Sequence, residues 1–320
     1  MHIHVNDPAE VFRIAARFGS VSAEKADDMQ QQHSAHAAVR KVTIVTDSAA
    51  DIPEDEMDRL GINMVPVRVH FGKCSYLDKV GITPEEFFAE LATNPQHPKT
   101  SQPPPGDFRR QFEFLASYFE AVISINLTRE ASGTCGSAET AAARTTTHGK
   151  VTVIDSMNAS VGQGLVAMYA AECAAAGYPA QRVIEATRAI VPRTHTFGLV
   201  GSLEYAVRGG RVPRWVKNLA DRLQLMPVLH ADRKGRVRAG GVLFGRQGLR
   251  EKFARFVRRR MRDHRSYRVL VGHANCAADG QWLLEQLRGA NVVYGRVLPL
   301  GAHGGPGMLV VSLQEYSPPA

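Results

Sequence analysis

The sequence predicts an α/β fold of two lobes, a parallel-sheet βαβ lobe followed by a mixed-sheet α+β lobe, behind an N-terminal arm. Three observations carry this. Between residues 41 and 194, short β-branched runs alternate with amphipathic or alanine-rich stretches, the grammar of parallel βαβ units. From 195 to 316 that alternation gives way to apolar runs joined by a Gly-containing turn and by separate helices, the grammar of a mixed sheet. Residues 1–40 lack core-forming spacing and read as an appended, partly disordered arm. A length of 320 residues with 44% hydrophobic residues suffices for two medium domains.

In the first lobe, Lys41 to Ser48 reads as a buried strand with a polar carboxyl end, and Glu54 to Leu60 as a short helix closed by Gly61. Asn63 to Phe71 reads as one strand, and Thr83-Pro84-Glu85-Glu86 opens a helix with Thr83 as its cap. Prolines keep Lys99-Thr100-Ser101-Gln102-Pro103-Pro104-Pro105-Gly106-Asp107 out of a helix, so it reads as a stiff loop in which Asp107 caps the amphipathic run Phe108 to Tyr118. Then follow a strand at Ala121 to Ile125, a loop at Thr128 to Thr134 and a helix from Gly136 to Thr145. A strand at Val151 to Ile154 and helices at Ser160 to Ala176 and Ala180 to Val191 complete the lobe.

In the second lobe, Leu203 to Arg208 and Pro213 to Leu223 read as helices, and Met226 to His230 with Val237 to Phe244 as a hairpin. A basic helix at Arg250 to Arg262, a strand at Arg268 to His273 and a helix at Asp279 to Leu287 come next. Strands at Val292 to Leu298 and Met308 to Leu313 finish it.

Several function classes are disfavoured. There is no P-loop, and Gly162-Gln163-Gly164 lies inside a helix, not at the strand-to-helix turn a dinucleotide fingerprint needs. Cys74, Cys135, Cys173 and Cys276 lack zinc-site spacing and read as free, buried thiols. The net charge of +8 owes much to the arginine-rich helix, whose Phe253 and Phe256 fit a core face; this argues against nucleic acid and for an acidic partner or membrane surface. Residues 1–8 show no basic n-region or apolar h-region, so a cytoplasmic protein is expected.

The candidate chemistry is anion binding. Ser132-Gly133-Thr134 follows a strand and opens a helix, where hydroxyls and free N–H groups can meet an anion; a plain helix cap is the other reading. Thr100 and Ser101 offer two more hydroxyls. His303, in Ala302-His303-Gly304-Gly305-Pro306-Gly307, offers an imidazole where glycines permit close backbone approach. Asp47 and Asp155, each at a strand end, either orient those hydroxyl loops or cap the segments that follow. Gly209-Gly210-Arg211 places a guanidinium after a helix end. A hydrolase reading makes Ser132 a nucleophile activated by His303.

These residues, with Thr46-Asp47-Ser48, Val65-Pro66-Val67 and Asp155-Ser156 in the same order, resemble the DegV family of bacterial fatty-acid-binding proteins from about Val42 to Tyr316. The resemblance implies a two-domain DegV-like fold with a long-chain fatty acid clamped between the lobes. Its carboxylate would be held by Thr100, Ser101, Ser132, Gly133, Thr134 and His303. It implies a non-catalytic carrier with no cofactor beyond that ligand, which presents the carboxylate to an ATP-binding fatty acid kinase subunit for acyl-phosphate formation. Arg211 and Arg246 would then contact the phosphoryl group or the partner. Gly304 stands where the family often has threonine.

Overall fold

The computed structural model describes residues 11, 14–15, 41–208, 213–289, 291–301 and 305–319. Most of the predicted arm, and the predicted site residues Arg211 and His303, lie outside these.

The first lobe runs β1 (Val42–Asp47), α1 (Glu54–Leu60), β2 (Ile62–Val65), β3 (Arg68–Phe71), β4 (Cys74–Leu77), α2 (Pro84–Thr93), β5 (Lys99–Ser101) and α3 (Pro105–Tyr118). It continues through β6 (Ala121–Asn126), α4 (Thr134–Ala143), β7 (Val151–Asp155), α5 (Val161–Ala175) and α6 (Ala180–Ile190). Its main sheet is parallel throughout, in the order β2-β1-β6-β7, as the alternation of strand and helix requires. A small antiparallel sheet, β4-β3-β5, stands beside it.

The second lobe runs β8 (Thr194–Leu199), α7 (Leu203–Arg208), α8 (Arg214–Arg222), β9 (Leu225–Ala231), β10 (Val237–Phe244), α9 (Leu249–Arg258), β11 (Tyr267–His273), α10 (Ala277–Leu287), β12 (Val292–Pro299) and β13 (Leu309–Glu315). These strands form one sheet, β10-β9-β8-β13-β11-β12, in which only β11 and β12 pair in parallel.

Helix α5 lies between the two large sheets. It is apolar nearly all round, and such a helix must be buried; Val161, Leu165, Val166 and Met168 are fully enclosed. Its core is shared with Ile44 and Ile123 of the first sheet and with Leu270, Leu298 and Val310 of the second. Close approach explains its glycines: a Cβ on Gly162 would meet the Thr196 and Ser312 side chains, and one on Gly164 the Asp51 carbonyl. The outer faces have separate cores, Phe108, Phe112 and Leu115 of α3 on the first sheet and Phe253, Val257 and Leu283 of α9 and α10 on the second. A polar bridge also joins the lobes. Arg268, 2% exposed, donates to Glu172 of α5 at 2.9 Å and lies between the Tyr294 and Tyr316 rings.

Several expected elements change. Asn63 to Phe71 is two strands in different sheets, because Pro66 cannot continue a ladder. Thr100 and Ser101 lie on β5, not in a loop. Helix α3 starts at Pro105 with Pro104 as its N-cap, so Asp107 sits in the first turn and pairs with Arg68 and Arg110 instead of capping. Helix α4 begins at Thr134 and α9 ends at Arg258. All four cysteines are free, but Cys74 is exposed.

Candidate functional site

The hydroxyl segments meet at the start of α4. The chain leaves β6 at Asn126, crosses Leu127 to Gly133 and enters α4 at Thr134, with Gly133 as an N-cap that supplies no side-chain bond. A helix start leaves its first N–H groups without intrahelical partners. Ser132 closes the turn: its Oγ accepts the Thr134 N–H at 3.2 Å and lies 2.8 Å from Thr134 Oγ1. Ser132 is half-buried, Gly133 exposed and Thr134 buried.

Gln102 brings β5 to this place. Its Nε2 donates to Ser137 Oγ at 3.0 Å, and its side-chain carbonyl fills the space a Cβ on Gly133 would take. Position 133 therefore has to be glycine. Thr100 and Ser101, just before Gln102, are both exposed, and Ser101 Oγ is 2.9 Å from His70 Nε2. Gln102 escapes sequence reasoning; its contacts lie 35 residues along the chain, beyond any spacing signal.

The loop into α4 is held by strand-end carboxylates. Asp47 accepts the Leu127 N–H at 2.8 Å, and Asp155 accepts the Arg129 N–H at 3.3 Å. The Asn158 carbonyl takes the Thr128 N–H, and the Thr128 carbonyl takes those of Ala131 and Ser132. Burial raises the Asp47 carboxyl above its ordinary value, although the Leu127, Asn126, Gln163 and Ala49 donors oppose the shift. Each aspartate also serves as a local turn acceptor, Asp47 for the Ala49 N–H and Asp155 for that of Met157. Both functions read from the sequence are thus present.

The glycine-rich segment is fixed at its described flanks. Gly301 N–H donates to Asp51 at 3.2 Å, and Asp51 also binds Lys79 at 2.7 Å and Ser160 at 2.7 Å. Burial works against the Lys79 charge, but Asp51 and Asp78 outweigh it and hold the ammonium protonated. Gly305 packs against the Tyr205 ring, and Gly307 N–H donates to the Ala274 carbonyl at 2.8 Å.

Arg246 lies apart from the hydroxyl cluster. It lines a cavity of about 420 Å³ with Leu199, Leu249, Arg250, Gly307 and Leu309, and is paired with Asp221 at 2.7 Å. That cavity adjoins the carboxyl end of the glycine-rich segment and does not include Ser132 or Thr100. Among the described residues no His, Cys, Asp and Glu cluster could hold a metal ion, and no helix is long and apolar enough to cross a membrane. The hydrogen-bond partner described for Ser132 Oγ is Thr134, in its hydroxyl and its N–H, not a general base.

Comparisons with known proteins agree with this architecture. A DegV family protein from Thermus thermophilus, whose structure is described as fatty acid binding, superposes with a TM-score of 0.78 at 31% identity over 86% of this chain and 100% of its own. The Bacillus subtilis DegV, described as a fatty acid binding protein, gives a TM-score of 0.75 at 26% identity over 87% of this chain and 100% of its own. A DegV domain-containing protein from Deinococcus radiodurans is 29% identical over 283 residues, 86% of this chain and 99% of the relative. Residues 1–36 match a second family model, the FakA-like middle domain of fatty acid kinase. The DegV family model matches residues 41–315, and the chain belongs to that family.

Proposed function

We propose that this chain is a cytoplasmic carrier, itself non-catalytic, that holds a long-chain fatty acid between its lobes and presents the carboxylate to an ATP-binding kinase partner for acyl-phosphate formation. The observation that carries the reading is the Gln102 bridge, which sets the Thr100-Ser101 strand end against the Ser132-Gly133-Thr134 helix start. Hydroxyls and a helix N-terminus suit a carboxylate, and His303 would add an imidazole able to ionise beside it. The acyl chain would contribute about 0.8 kcal/mol per CH₂, on the order of 10 kcal/mol for sixteen carbons before ordering costs. The polar end then sets orientation and the tail sets affinity. The fatty acid binding described for the Thermus and Bacillus relatives supports the ligand class.

The kinase link is supported by residues 1–36, which place a kinase-like segment and a DegV module in one chain. Arg246 would exchange Asp221 for a phosphoryl oxygen, and Arg211 would act beside it. Helix α8 supports transient membrane contact: Trp215, Leu219 and Leu223, four residues apart, are exposed on a helix that also carries Arg214 and Arg222.

Native mass spectrometry of the purified protein, followed by denaturation and lipid identification, tests the ligand. A co-purified fatty acid, or uptake of one added, is expected. A protein that neither carries nor takes up fatty acid overturns the proposal. Acyl phosphate that forms from ATP only when this chain and its kinase partner are both present tests the presentation step.

A further inference from the structure

We propose that Asp47 is a positioning residue: with Gln163 of α5 it fixes the loop that delivers Ser132 and Thr134, and so sets the preference for a carboxylate over an uncharged head group. This rests on the reading of the Ser132 cluster as the head-group site.

The two oxygens of Asp47 do different things. Oδ1 accepts the Ala49 N–H at 3.0 Å, which is the local turn bond expected of a strand-end aspartate. Oδ2 accepts three donors from elsewhere: Leu127 N–H at 2.8 Å, Asn126 Nδ2 at 3.3 Å and Gln163 Nε2 at 3.0 Å. A capping role accounts for the first oxygen and leaves the second unexplained. The side chain is fully buried, and a carboxylate is costly to bury unless its acceptors are used. Its acceptors are spent on the entry to the loop and on the helix between the sheets.

Displacement at Leu127 is passed on to Ser132 through the Thr128 carbonyl, which holds the Ala131 and Ser132 N–H groups at 3.0 and 3.2 Å. Gln163 gives the loop a second reference. It follows Gly162, which is packed against Thr196 and Ser312 of the second sheet. The head-group loop of one lobe is thereby registered to the other lobe, where the acyl chain would continue.

The test uses the full chain with Asp47→Asn and, as a milder variant that leaves the carboxylate in place, Gln163→Met. Two readouts are taken. The first is amide hydrogen exchange over residues 127–134 without ligand; the second is the ratio of affinities for palmitate and hexadecanol. Exchange there should accelerate in both variants while the β11 and β13 amides keep their protection. Palmitate affinity should fall about tenfold, the loss of one hydrogen bond to a charged group, with hexadecanol affinity unchanged. Should Asp47→Asn fail to fold, Gln163→Met alone decides. Unchanged exchange at 127–134, or equal loss for acid and alcohol, overturns the positioning role. A parent protein that does not prefer the acid removes the head-group reading instead, and the exchange experiment, which needs no ligand, still judges Asp47.

Discussion

Helices α5 and α8 both carry large apolar side chains, and the molecule treats them in opposite ways. In α5, Val161, Leu165 and Met168 are wholly enclosed between two sheets, with Gly162 and Gly164 admitting neighbours to the backbone. In α8, Trp215 is 68% exposed, Leu219 49% and Leu223 54%, although their spacing is that of a core-facing stripe. An apolar stripe is therefore not sufficient to identify a core. What separates the two is the surroundings: α5 has apolar partners on every side, whereas α8 is a short helix with polar neighbours. Hydrophobicity contributes stability in the first and is left available for contact in the second.

The contrast breaks first, and by most, at the polar bridge behind α5. Arg268→Met should cost about 3–5 kcal/mol, because Glu172 would remain buried without its cation. Burial already raises the Glu172 carboxyl, with Arg268 opposing, so the variant should raise it further. A carboxyl whose folded pKa lies above its unfolded value binds more protons when folded. Its contribution to stability is present below the ordinary carboxylate range and is lost as pH rises through the folded pKa. The deficit of Arg268→Met should therefore be largest at neutral pH and shrink on acidification, which denaturant unfolding at a series of pH values will check.

Next comes the apolar filling of α5. Leu165→Ala should destabilise by about 2–5 kcal/mol, since the side chain is fully enclosed and the sheets on both sides hold the cavity open. A loss below about 1 kcal/mol in urea unfolding would mean that the lobes can close over the gap, and that α5 is not the rigid spacer described.

The head-group cluster ranks third, acting on ligand rather than stability. Ser132→Ala and Thr134→Val should each weaken fatty-acid binding by about 1–3 kcal/mol, the range for a hydrogen bond to a charged group, with the fold retained. Equal affinity in the parent and both variants, measured by calorimetry, would move the site away from α4.

How much of this was legible in the sequence follows from the range of the interactions. The parallel sheet was readable because Val42 to Asp47, Ala121 to Asn126 and Val151 to Asp155 are β-branched runs bounded by polar ends. The capping box of α2 was readable because Thr83 and Glu86 are three residues apart. Strand β8, Thr-His-Thr-Phe-Gly-Leu, was not, because it mixes polar and apolar residues and is held by pairing with β13 and β9. Strands β4 and β5 are too short and too exposed to show a period. The site divides in the same way: Ser132, Thr134 and Thr100 announce themselves by type and context. Gln102 at Gly133 and Asp47 Oδ2 at Leu127 depend on contacts 31 and 80 residues apart, for which the sequence has no local mark.

The smallest expected effect on stability is at the exposed stripe of α8, and it sharpens the comparison most. Trp215→Ala with Leu219→Ala should change unfolding free energy by no more than about 0.5 kcal/mol, as surface substitutions away from packed contacts usually do. The same pair should abolish binding to vesicles containing anionic lipid, because the apolar side chains that would enter the interface are removed while Arg214 and Arg222 remain. Trp215 is one of two tryptophans in the chain, and the other, Trp282, packs against the second-lobe core. A blue shift in emission on adding such vesicles should therefore be seen in the parent and in Trp282→Phe, and be absent from Trp215→Phe. Added salt should weaken the shift without eliminating it, since the arginine attraction is screened and the apolar transfer is not. A destabilisation of about 2 kcal/mol or more in the double variant would show that α8 is packed as α5 is. A blue shift that survives Trp215→Phe would place any membrane contact on another face.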